Sequence, residues 1–171
     1  VQTVFNEFFE VCMRAIESND ATLDKFVGDQ VMVLFGAPIP ETGHAYHAVK
    51  LATDLQQSMQ ATRLRWIERG LVPEALLQKH PEVLTFGIGI NTGDMLIGLF
   101  GSERNNQYTV LGHHVNLAAR LCSQAKGMQI VISEPTWLRV RDYFEVRELE
   151  PVKPKGIAQP VRIFEVLREK A

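Results

Sequence analysis

Asn116 and Arg120 stand one helical turn apart in the run Tyr108-Thr109-Val110-Leu111-Gly112-His113-His114-Val115-Asn116-Leu117-Ala118-Ala119-Arg120-Leu121. A neutral amide beside a guanidinium at a strand end suits a sugar and a phosphate. The amide donates and accepts, while arginine presents a planar fork of donors that stays charged. The same pair also reads as an exposed Asn and Arg on the polar side of an amphipathic helix. The elements that would position them follow from the residue types. The first half of the run is β-branched and aromatic and stops at Gly112, and the second half sets apolar residues at helical spacing, which predicts strand, tight turn, helix.

A second stretch, Asp24-Lys25-Phe26-Val27-Gly28-Asp29-Gln30-Val31-Met32-Val33-Leu34-Phe35-Gly36, alternates apolar residues on both sides of Gly28-Asp29. That pattern predicts a hairpin with a polar tip. In this order the two stretches closely resemble the catalytic domain of class III nucleotidyl cyclases, and the likeness runs from Val1 to about Val166. It implies conversion of a nucleoside triphosphate to a 3′,5′-cyclic monophosphate and pyrophosphate, with two divalent ions, Mg²⁺ or Mn²⁺, held by two aspartates.

On this resemblance Asp29 is a metal ligand, since a carboxylate at a rigid hairpin tip can hold an ion whose other positions go to phosphate oxygens. Lys25 and Thr109 match the pair that selects the purine. Adenine offers an acceptor at N1 and a donor at N6, which an ammonium and an accepting hydroxyl fit; guanine reverses both, and a Glu at position 25 would be expected for a guanylyl enzyme. Asn116 matches the residue that orients the ribose, and Arg120 the donor that neutralises charge on the phosphate in the transition state. Lys155 matches a lysine that contacts the terminal phosphates. There the chain departs from the family's Lys-Gly-Lys, reading Lys155-Gly156-Ile157, and position 113 is His where many bacterial relatives carry Asp.

The resemblance further implies an adenylyl cyclase that works as a head-to-tail homodimer. Aspartates of one chain would face Lys, Thr, Asn and Arg of the other, with regulatory domains elsewhere in a longer chain. It places the first metal aspartate, with its strand and helix, upstream of Val1. The 171 residues alone are therefore expected not to cyclise ATP. The rival reading is a cyclase-like domain that binds a nucleotide or a partner without catalysis.

The remaining chain supplies the scaffold. Val4, Phe5, Phe8, Val11, Cys12, Ala15 and Ile16 give Val1 to Ser18 one wide apolar helical face, which begins at full amplitude without an N-cap and suggests that the polypeptide continues upstream. Ala45, Ala48, Val49, Ala52, Leu55 and Met59 predict a long helix from Thr42 to Trp66, with His44 and His47 as surface residues rather than metal ligands. Residues 67–81, broken by Gly70, Pro73 and Pro81, read as an excursion. Val83 to Phe100, turning at Asn91-Thr92-Gly93-Asp94, reads as a second hairpin. A strand at 129–133, a helix at 134–140 and strands at 144–149 and 161–167 complete the chain, with the basic loop Lys153-Pro154-Lys155 between the last two. The expected class is α+β: a ferredoxin-like cyclase fold, as one domain over residues 1–171, with a largely antiparallel sheet and helices packed on one face.

Charged residues at 22% and hydrophobic ones at 46% are ordinary for a globular domain. A net charge of −2 argues against a nucleic-acid binder. No apolar run approaches the roughly 20 residues needed to cross a bilayer. Two cysteines, Cys12 and Cys122, both in apolar helical patterns, fit a reduced cytoplasmic setting, as a free domain or as the cytoplasmic part of a membrane-anchored protein.

Overall fold

The computed structural model describes residues 1–102, 105–153 and 158–171. The chain runs α1 (Gln2–Ser18), β1 (Thr22–Val27), β2 (Gln30–Leu34), α2 (His44–Glu68), α3 (Glu74–Lys79), β3 (Ile88–Ile90), β4 (Leu96–Ser102), β5 (Asn105–Leu111), α4 (His113–Gln124), β6 (Ile130–Ser133), α5 (Glu134–Val140), β7 (Phe144–Val152) and β8 (Val161–Glu169). Among the described residues no helix is long and apolar enough to cross a membrane.

The centre of the fold is a four-stranded sheet in the order β3-β6-β8-β7, in which β3 and β6 are parallel and the other pairs antiparallel. Strand alternation sorts its side chains onto two faces. Ile130 and Ile132 of β6 with Phe164 and Val166 of β8 meet Ala45, Val49 and Ala52 of α2 and Val140 of α5. Val131 and Ile163, pointing the other way, meet Leu117 and Leu121 of α4. The α+β class holds. The expectation that helices pack on one face describes α2 and α5, while α4 covers the opposite face, because β6 is buried along its whole length.

The second half of α2 leaves the sheet and packs on α1, where Met59 and Trp66 join Val4, Phe8 and Cys12. The indole of Trp66 donates to Glu7 at 2.9 Å, and Arg69 donates to the same carboxylate at 2.7 Å. Hydrogen bonds from Arg69 and Trp66 hold Glu7 below the usual carboxylate range. Burial pushes the Cys12 thiol up to about 12, so Cys12 behaves as a packed hydrophobe. The 67–81 excursion contains α3, a short helix opened by Pro73.

Two hairpins stand outside this sheet: β1-β2 and β4-β5, each a two-stranded antiparallel pair. The first turns at Gly28-Asp29 as its sequence predicts, with Val27 opposite Gln30 and Gly28 at φ +63, where glycine carries no steric penalty. The expected hairpin across residues 83–100 does not form. β3 pairs with β6, and β4 pairs with β5 through Leu96↔Leu111 to Ser102↔Asn105. Asn91, expected in a tight turn, instead donates to the His114 carbonyl and accepts from the Ser133 hydroxyl, so the loop lies against the start of α4 and hands the chain to another sheet.

Candidate active site

The site is built around the junction of β5 and α4. β5 ends at Gly112, and α4 begins at His113 with Leu117 and Leu121 buried against the sheet. Its opposite side carries Asn116 and Arg120, both exposed and one turn apart. The depth at which α4 seats is set by Gly89 of β3. A Cβ there would lie 2.1 Å from the backbone nitrogen of Cys122 and 2.6 Å from the carbonyl of Ala118, so only glycine lets the helix approach this closely.

A polar network fixes the start of the helix. Asn91 Nδ2 donates to the His114 carbonyl at 3.0 Å and lies 3.2 Å from His114 Nδ1. Ser133 donates to Asn91 Oδ1 at 2.7 Å, and Thr92 and Thr136 hydroxyls meet at 2.9 Å. Burial, with the neighbouring His113 adding to it, pushes the His114 pKa down, which suits a ring that accepts from Asn91.

Lys25 and Thr109 come together although they belong to different hairpins. Both converge on Asp24: Thr109 Oγ1 donates to Asp24 Oδ2 at 3.0 Å, and Lys25 Nζ lies 3.4 Å from the same oxygen. The Asp24 side chain is 2% exposed and Thr109 is 5% exposed, whereas a quarter of the Lys25 side chain reaches solvent. The Thr109 hydrogen bond to this buried carboxylate contributes about 1.5 to 3 kcal/mol against its desolvation, and the Lys25 ammonium pairs with the same oxygen.

Asp29 is exposed at the tip of the β1-β2 turn. Burial raises the Cys122 thiol on α4, and the Asp29 charge adds to that shift. Among the described residues no group of three or more His, Cys, Asp or Glu gathers to hold a metal. Lys155 lies outside the described residues; Lys153, two positions earlier, is exposed. His47 pairs with Glu41 at the start of α2.

Sequence reasoning assigned no role to Asp24, Asn91, His114 or Ser133. Asp24 stands next to Lys25 in the motif, and nothing in the spacing links it to Thr109, 85 residues away. The Asn91 network was masked by a run that reads as a turn.

Residues 1–167 match the family model described as the adenylate and guanylate cyclase catalytic domain. Adenylate cyclase 1 of Rhizobium meliloti is 30% identical over 169 residues, which are 98% of this chain and 24% of that protein. The terminal-differentiation specific adenylate cyclase of Dictyostelium discoideum is 29% identical over 168 residues, 95% of this chain and 7% of that protein. The chain thus spans a quarter or less of the length of these two relatives. Among solved structures, the adenylyl cyclase CyaB from P. aeruginosa matches with a TM-score of 0.85 at 29% identity, covering 99% of this chain and 83% of that one. The guanylyl cyclase Cya2 matches with a TM-score of 0.84 at 35% identity, covering 96% and 78%. On the match over residues 1–167, the chain belongs to the adenylate and guanylate cyclase catalytic domain family.

Proposed function

We propose that this domain is the catalytic domain of an adenylyl cyclase, converting ATP to 3′,5′-cyclic AMP and pyrophosphate in signalling. The observation that carries the choice of ATP is the convergence of Lys25 and Thr109 on Asp24. An ammonium and a hydroxyl side by side can donate to adenine N1 and accept from its 6-amino group, and guanine presents the opposite pattern to both. Identity of 30% to adenylate cyclase 1 supports the same reading. The 35% identity to a guanylyl cyclase shows why the base-reading pair, rather than overall likeness, must decide.

In this reading the ribose 3′-hydroxyl loses its proton to solvent as its oxygen attacks the α-phosphorus, a new P–O bond closes the ring, and the bond from that phosphorus to the oxygen bridging to the β-phosphate breaks, releasing pyrophosphate. Asn116 holds the ribose so that the 3′-oxygen points at phosphorus, and Arg120, one turn on, donates to the phosphate oxygens as their charge grows. Lys155, which lies outside the described residues, is assigned to the terminal phosphates on the family resemblance alone. Asp29 fits one of the two divalent ions. A single exposed carboxylate at a turn would supply one hard oxygen to Mg²⁺ or Mn²⁺. When bound, the ions acidify the 3′-hydroxyl and shield the departing pyrophosphate.

The domain acts as a head-to-tail homodimer, with Asp29 of one chain and Lys25, Thr109, Asn116 and Arg120 of the other at each site. The β4-β5 ribbon supports this: it is paired with no third strand among the described residues and exposes Leu96, Leu99, Tyr108 and Leu111. The test is turnover by the natural full-length protein. Cyclic AMP and pyrophosphate should form in equal amounts from ATP, with kcat/KM for GTP lower by about tenfold or more. Nucleotide binding without product would instead favour a non-catalytic domain.

A further inference from the structure

We infer that Asp24 is a positioning residue that sets the polarity of base reading. It accepts the hydrogen bond of the Thr109 hydroxyl, so that Thr109 meets the purine only as an acceptor, and it holds the Lys25 ammonium beside it as the donor. This deepens the adenylyl reading above and rests on it.

A threonine hydroxyl carries one donor and two acceptor positions, and alone it could serve the 6-amino group of adenine or the 6-oxygen of guanine by rotating. Asp24 removes that freedom. Its side chain is 2% exposed and its Oδ2 is 3.0 Å from Thr109 Oγ1, and a carboxylate paired with an ammonium has only acceptors to offer. The Thr109 proton is thus committed inward, and its lone pairs face the base.

The backbone is shaped to make this contact. Successive side chains of a regular strand point to opposite faces, so Asp24 and Lys25 should not meet. In β1, however, Leu23 is opposite Val33 and Lys25 is opposite Met32, which leaves Asp24 as an extra residue in the ladder. Such a bulge re-aims side chains, and here it turns Asp24 toward Lys25 Nζ, 3.4 Å away, and toward β5. One carboxylate oxygen therefore couples the two halves of the base reader. With guanine, a Thr109 lone pair would face O6 and the ammonium would face the N1 proton; the hydroxyl cannot turn without losing Asp24, and the ammonium, which has only donors, cannot accept at all.

The test uses Asp24→Asn in the natural full-length protein. The amide keeps the volume but offers Thr109 either an oxygen or an NH₂, so the hydroxyl is free to turn. Binding of 3′-deoxy-ATP and 3′-deoxy-GTP, which lack the attacking oxygen, is measured beside kcat/KM for ATP and GTP. The preference for the adenine nucleotide should fall by about tenfold or more in both measurements, with KM for ATP rising and kcat changing little. Thr109→Val should show a similar loss, Thr109→Ser should keep the preference, and adding Asp24→Asn to Thr109→Val should change the ratio by less than about twofold. If wild type prefers ATP and Asp24→Asn keeps that ratio within about twofold, or weakens both nucleotides equally, Asp24 is structural only and the inference fails. A wild type without base preference defeats the adenylyl reading itself, and the inference with it, so the two failures appear in different proteins. Should Asp24→Asn not fold, purine riboside triphosphate, which lacks the 6-amino group, is compared with ATP on wild type and Thr109→Val. Equal affinity of wild type for the two would overturn the acceptor role.

Discussion

Thr109 donates to Asp24 across 3.0 Å, joining two hairpins whose residues are separated by 85 positions in the chain. Among the described residues β1-β2 and β4-β5 share no ladder. This hydrogen bond links the two hairpins, and Lys25 of β1 pairs with the same carboxylate oxygen.

Lys25→Glu is the first consequence. It would set a second carboxylate beside buried Asp24, so the exchange of base preference should be incomplete. The expected outcome is a loss of about tenfold or more in kcat/KM for ATP with little gain for GTP, and a larger gain for GTP when Asp24→Asn is added. Steady-state kinetics with both nucleotides checks this, and a clean switch by Lys25→Glu alone would contradict it.

Gly89→Ala should unseat α4. The added carbon would lie 2.1 Å from the Cys122 nitrogen, a backbone atom that moves only if the helix moves. Overpacking of this kind costs about 1 to 3 kcal/mol, and it should also lower kcat by displacing Asn116 and Arg120. Urea unfolding and turnover on the same variant check both effects; a change below about 0.5 kcal/mol with full activity would show that the helix has slack.

His114 gives the domain a pH dependence of defined sign. Burial lowers its pKa in the fold, with His113 reinforcing and Asp94 opposing the shift. The unfolded chain therefore takes up this proton at a higher pH than the folded one, and stability that is full above the ordinary histidine value falls as pH drops below it. Unfolding free energy measured from pH 7 down to 5 should decline less steeply in His114→Gln than in wild type. Equal slopes would remove His114 as the source.

The proposed head-to-tail site predicts complementation. Asp29→Asn and Arg120→Ala homodimers should each be nearly inactive, but in a mixed dimer one site receives both lesions and the other neither. With random pairing and independent sites, co-expression should recover about a quarter of wild-type activity. Demonstrated heterodimers without activity would place the two residues in one site of one chain.

Much of this architecture is legible in sequence because its signals are local. The buried stripe Val4, Phe8, Cys12 and Ile16 of α1 has helical period, and Gly28-Asp29 announces its turn. The strand, turn and helix around Gly112 also form as their residues predict. The partner of β3 was not legible. Parallel pairing with β6 joins residues far apart, whereas Asn91-Thr92-Gly93-Asp94 mimics a hairpin turn although Asn91 donates to His114 and accepts from Ser133. Asp24 escaped for a similar reason. Alternation places it on the face opposite Lys25, and only the irregularity in β1 brings the two together.

The most direct measurement offers the natural full-length protein ATP and GTP at equal concentration in one reaction and quantifies both cyclic products. The product ratio then equals the ratio of the two kcat/KM values, whatever fraction of the enzyme is active. The account predicts at least about ten cyclic AMP formed per cyclic GMP. Parity, or an excess of cyclic GMP, would contradict the assignment of Lys25 and Thr109 as readers of adenine.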